Sequence, residues 1–80
     1  ACALGQAAAS VLGQVAVGQN LAALRKARDQ LAAMLAADGP VPDAPFQGFE
    51  VLTAARSYKN RHASILLAAN AVVDAMEQTV

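Results

Sequence analysis

Eighty residues and 8.1 kDa allow one small domain. Six basic and six acidic side chains leave no formal net charge, which removes the electrostatic case for binding nucleic acid or an anionic membrane surface. An apolar content of 56% excludes a disordered chain, yet 21 positions are alanine and only 20 are Leu, Val, Ile or Phe, so the expected core is thin.

The periodicity is helical almost throughout. Leu4, Ala8, Val11, Leu12 and Val15 fall on one helix face and predict a helix over residues 3–17. Gly18 ends it, and Asn20 is placed to cap the next. That second helix, residues 21–38, turns Leu21, Leu24, Leu31, Met34 and Leu35 inward and Arg25, Lys26, Asp29 and Gln30 outward. Gly39-Pro40 stops it. Residues 39–45 form a stiff linker with three prolines, which Phe46 and Phe49 dock onto the core. A short third helix is expected over about residues 49–56, with Val51, Leu52 and Ala55 inward. After a break near Tyr58–Asn60, a last helix over 61–78 carries the stripe His62, Ile65, Leu66, Ala69, Val72, Val73 and Met76. No strand signal and no internal repeat stand out. The chain is therefore read as mainly α, three to four helices in a single domain over residues 1–80.

Residues 1–24 carry no charge, but Gln6, Ser10, Gln14, Gln19, Asn20 and three glycines make them too polar for a membrane span, and without a basic leader or a cleavage pattern they do not read as a signal peptide. One cysteine, Cys2, forbids an internal disulfide and points to a reducing, cytoplasmic compartment. The thin Ala-rich core and the opening Ala1-Cys2 without a methionine read as a piece of something longer, weakly stable or oligomeric alone.

Cys2 and His62 are the only Cys and His, and both stand where a helix begins. Helix N-termini favour thiolate over thiol and neutral imidazole over imidazolium, the forms that bind metals. Two ligands do not complete a site, since zinc takes three or four and iron–sulfur clusters about four. The plainer readings are a small buried cysteine and a packed or capping histidine. Arg56, Lys59 and Arg61 read as a solvated surface at a helix junction, or as a docking patch for an acidic partner. No carboxylate pair, Ser/His/Asp set or phosphate-binding glycine loop is visible, and nothing orients His62 as the base of a thiol enzyme.

The two ends of the chain carry a resemblance. The opening Ala1-Cys2-Ala3-Leu4-Gly5-Gln6-Ala7-Ala8-Ala9-Ser10-Val11-Leu12 resembles the segment of NifU/IscU-type iron–sulfur cluster assembly scaffolds that holds their second cluster cysteine. The closing Arg61-His62-Ala63-Ser64-Ile65-Leu66-Leu67 resembles the start of that family's long C-terminal helix, where the pattern is His-Cys-Ser followed by two apolar residues. The resemblance implies the C-terminal helical half of an α+β domain whose sheet, first cluster cysteine and aspartate lie upstream. It implies a scaffold rather than an enzyme. Cys2 and His62 would be ligands of a transient iron–sulfur cluster, or of iron or zinc, completed by upstream groups. A cysteine desulfurase and other cluster-assembly proteins would be the partners. Two departures stand out. Ala63 occupies the third cysteine's position and cannot ligate. Arg56-Ser57-Tyr58-Lys59-Asn60 stands where typical members have Leu-Pro-Pro-Val-Lys, which argues against chaperone recognition. The alternative is a non-catalytic helical interaction module, or a degenerate paralogue, that packs on another element or self-associates through its Ala-rich faces.

Overall fold

A computed structural model describes residues 3–79. The chain is mainly α, with no strand among the described residues. The elements are α1 (Ala3–Val15), α2 (Leu21–Ala37), a 3₁₀ helix (Gln47–Ser57), a 3₁₀ turn (Lys59–Arg61) and α3 (His62–Thr79). No helix among them is long and apolar enough to cross a membrane.

Helix α1 buries Ala8 and Leu12 and half-buries Leu4, Val11 and Val15, the five positions its periodicity marks. It ends two residues earlier than expected. Gly18 then takes a left-handed φ of 85°, which lets the chain reverse into α2. Asn20 caps α2, its Oδ1 accepting from the Ala23 N–H at 2.8 Å. Leu24, Ala27, Leu31, Met34 and Leu35 form the buried stripe of α2. Helix α2 stops at Ala37, and the left-handed residue that ends it is Asp38 (φ 53°) rather than Gly39. Gly39 is needed for another reason. A Cβ there would stand 3.0 Å from the carbonyl carbon of Ala33, whose oxygen accepts the Gly39 N–H.

The proline linker lies against α2. Gln30 Nε2 donates to Asp43 Oδ2 at 3.2 Å, the Asp43 N–H donates to Gln30 Oε1 at 3.2 Å, and Lys26 Nζ stands 3.0 Å from Asp43 Oδ2. The Lys26 hydrogen bond first, then that of Gln30, holds the Asp43 carboxyl below its ordinary value of 3.8.

The third helix differs from its expectation in kind. It is a 3₁₀ helix, with three residues per turn, so its inward face repeats at i, i+3, i+6. Phe46, Phe49, Leu52 and Ala55 are buried at that interval, the two rings near-parallel with centroids 6.4 Å apart. The same period turns Val51 out to 68% exposure, which corrects its inward assignment. The break before the last helix falls at Tyr58, after which the 3₁₀ turn runs straight into α3.

Helix α3 is central. It packs on both α1 and α2, and the 3₁₀ helix closes against both of those as well. Ile65, Ala69 and Val73 are the buried spine of α3. Arg25, early in α2, pairs with Glu77, late in α3, so these two helices run antiparallel. Gly5 meets Ser64, both near helix starts, so α1 and α3 begin side by side.

Candidate functional site

The approach of α1 to α3 is close because residue 5 has no side chain. A Cβ on Gly5 would stand 3.0 Å from the Ser64 carbonyl oxygen. That contact lies two residues into α3 from His62 and two residues into α1 from Ala3. The beginnings of the two helices thus share one end of the molecule. Cys2 lies outside the described residues. Ala63 is exposed on the first turn of α3 and has no donor atom.

His62 is half-buried, and its Nε2 makes the informative contacts. Nε2 lies 3.1 Å from the Ala55 carbonyl oxygen and 3.2 Å from that of Arg56. Carbonyl oxygens only accept, so a hydrogen bond to either requires the proton on Nε2. In the neutral ring the lone pair is then on Nδ1. The same contact performs the capping role that a lone histidine suggests, because it brings a donor to the Arg56 carbonyl and a second one to that of Ala55, which also accepts from the Tyr58 N–H.

Arg56 is placed differently from Lys59 and Arg61. Its Nε donates to the Met34 carbonyl at 2.7 Å and its Nη2 to the Gly39 carbonyl at 2.8 Å, with Asp38 Oδ1 3.5 Å from Nε. It is a tertiary cap on α2, one of whose last four carbonyls belongs to Met34. Sequence reasoning missed this role, although a signal existed. The last turn of α2 carries no basic residue, so its negative end wanted a cation from elsewhere. Lys59 and Arg61 are exposed on the 3₁₀ turn and make no ion pair among the described residues.

A second feature lies on the same pair of helices. Gly5, Gln6 and Ala9 of α1 and Ser64, Leu67, Ala68 and Ala71 of α3 line an open groove of about 330 Å³, with Leu67 68% exposed. Its lining is mostly small side chains, and Leu67 turns outward.

Among the described residues no group of three His, Cys, Asp or Glu side chains converges. The chain's own fit to a metal or cluster is thus partial. Nδ1 of His62 would be one donor, and any others would lie outside the described residues, as Cys2 does. Comparison with protein families, with curated proteins and with solved structures finds no match to any of them.

Proposed function

We propose that this chain is the helical part of an iron–sulfur cluster assembly scaffold of the NifU/IscU type. In this reading a transient cluster, or an iron or zinc ion, is cargo, and the chain turns over no substrate. The observation that carries it is the ring of His62. Metal-ligating histidines characteristically donate their second ring N–H to a backbone carbonyl or carboxylate, which fixes the tautomer and raises ligand basicity. His62 has that arrangement through Nε2. The adjoining starts of α1 and α3 lend further support, because Cys2 precedes α1 by one residue. Cys2 would supply a thiolate and His62 its Nδ1, with the remaining ligands from an upstream cysteine and aspartate. Sulfur would arrive from a cysteine desulfurase in the cytoplasm, and the exposed Lys59 and Arg61 offer positive charge to an acidic partner surface.

The test is a zinc titration of three variants. Wild type should bind weakly. Ala63→Cys should bind more tightly, because the new thiol joins His62 at a helix start. Cys2→Ser should abolish binding. Anaerobic iron and sulfide reconstitution of the full-length protein should give the visible absorption of a cluster. Equal affinities in all three variants would overturn the scaffold reading. They would favour the second one, a non-catalytic helical module, for which the open groove beside Leu67 and the capping hydrogen bonds of His62 speak.

A further inference from the structure

We infer that Arg56 is the positioning residue for His62, and that its guanidinium clamp selects Nδ1 as the atom His62 presents to a metal. The inference rests on the scaffold reading for its purpose, and on geometry alone for its substance.

Arg56 joins two structural tasks in one residue. Its side chain reaches back to the end of α2, where Nε and Nη2 take two carbonyls 17 and 22 residues away in sequence. Its backbone carbonyl, and that of the preceding Ala55, face the other way and receive His62 Nε2. The planar guanidinium donates both bonds from a rigid fork, so the two anchor points fix its orientation as well as its position. Asp38, 3.5 Å from Nε, adds a third contact on the same side. Tyr58 ends the 3₁₀ helix, and only five residues, 57–61, separate Arg56 from the start of α3 at His62. Ala55 is the last buried side chain of the segment, and the Tyr58 N–H donates to its carbonyl at 2.9 Å, so beyond Ala55 the clamp is the side-chain anchor that holds the Arg56 carbonyl in place.

A free neutral imidazole exchanges its proton between the two nitrogens. Two carbonyls held at 3.1 and 3.2 Å from Nε2 favour the form protonated there. The choice of nitrogen matters, because Nδ1 sits one bond from the ring's attachment to Cβ and Nε2 two bonds from it. A site built for one cannot be served by the other. Arg56 therefore acts on the His62 ring from six residues upstream in sequence: guanidinium to α2, backbone carbonyl to Nε2, lone pair on Nδ1.

His62 is the only histidine, so one pair of imidazole nitrogen signals reports the tautomer without assignment. The measurement is a long-range proton–nitrogen correlation spectrum of the metal-free chain at pH ~8.5, above the ordinary imidazole value of about 6.5. Wild type should show the Nε2–H form predominating. Arg56→Ala should show both tautomers, and so should Arg56→Lys, which keeps the charge but not the fork. Zinc affinity should fall by about 10–100-fold in both variants, the usual effect of removing an outer partner of a metal-ligating histidine. A purely structural Arg56 would change the melting temperature and leave the tautomer alone. Predominance of the Nδ1–H form in wild type would overturn the inference even if neither variant folds, as would an unchanged tautomer in a folded variant. The tautomer needs no metal, so a wild type with the expected Nε2–H form that binds no zinc sinks the scaffold reading and not the Arg56–His62 coupling.

Discussion

Alanine introduced at Gly5 and at Gly13 should move stability in opposite directions, although both glycines lie on α1. Replacing glycine by alanine within a helix gains up to about 1 kcal/mol of propensity. At Gly13 nothing stands within 4 Å of the added Cβ, so the gain is kept. At Gly5 the Cβ arrives 3.0 Å from the Ser64 carbonyl oxygen. That atom is backbone in the first turn of α3 and cannot swing aside, so α1 must lift or tilt. Overpacking of this kind costs about 1–3 kcal/mol. Gly5→Ala should therefore be less stable than Gly13→Ala by roughly 1–3 kcal/mol, the difference between two variants that share the same propensity term. In a domain of this size 1 kcal/mol moves Tm by about 4–8 °C, so far-ultraviolet circular dichroism melts of the two variants should separate clearly. A Gly5→Ala protein that melts at or above Gly13→Ala would refute the close seating of α1 on α3. The side-by-side start of the two helices would fall with it.

Two further outcomes follow from the packing and the charges. Leu52→Ala should cost about 2–5 kcal/mol, as for other buried leucines, whereas Val51→Ala should change stability by no more than about 0.5 kcal/mol; equal losses in denaturant titrations would argue for an α-helical rather than a 3₁₀ register over residues 47–57. Asp43 has its folded-state pKa depressed, chiefly by Lys26 and then by Gln30, so its stabilising contribution is present above the unfolded value and lost as pH falls through the folded one. The stability gap between wild type and Asp43→Asn should therefore be full near pH ~5 and close towards pH ~2, and a gap unchanged across that range would place the favourable interaction elsewhere.

The candidate site was only partly legible in the sequence. His62 could be singled out because it is the sole histidine and stands at a helix start, and both its capping role and its ligand role could be framed from that position. Which nitrogen does what was not legible. Ala55 and Arg56 become its partners through the shape of a 3₁₀ helix, whose period the sequence pattern did not distinguish from an α-helix over so short a span. The groove beside Leu67 has a faint signal in the small residues at Gly5, Ala9, Ala68 and Ala71, but small residues are scattered through the whole chain and mark no face by themselves.

By itself the sequence determined the three α-helices, the Asn20 cap, the proline linker and the docking of Phe46 and Phe49. The helices, the cap and the linker depend on residues within one or two turns of each other, where apolar spacing and side-chain capping act directly on the local backbone, and the two phenylalanines are the chain's largest apolar side chains, which burial favours wherever the linker ends. Tertiary structure decided the rest. It put Val51 outside and made Asp38 the left-handed terminus of α2. It turned Arg56 from a surface charge into the cap of a helix 22 residues upstream. The reason is one of range. The end of α2 exposes carbonyls that no neighbour in sequence can satisfy, and the donor that meets them is chosen only when the 3₁₀ helix folds back across α2 and brings a guanidinium within hydrogen-bonding distance.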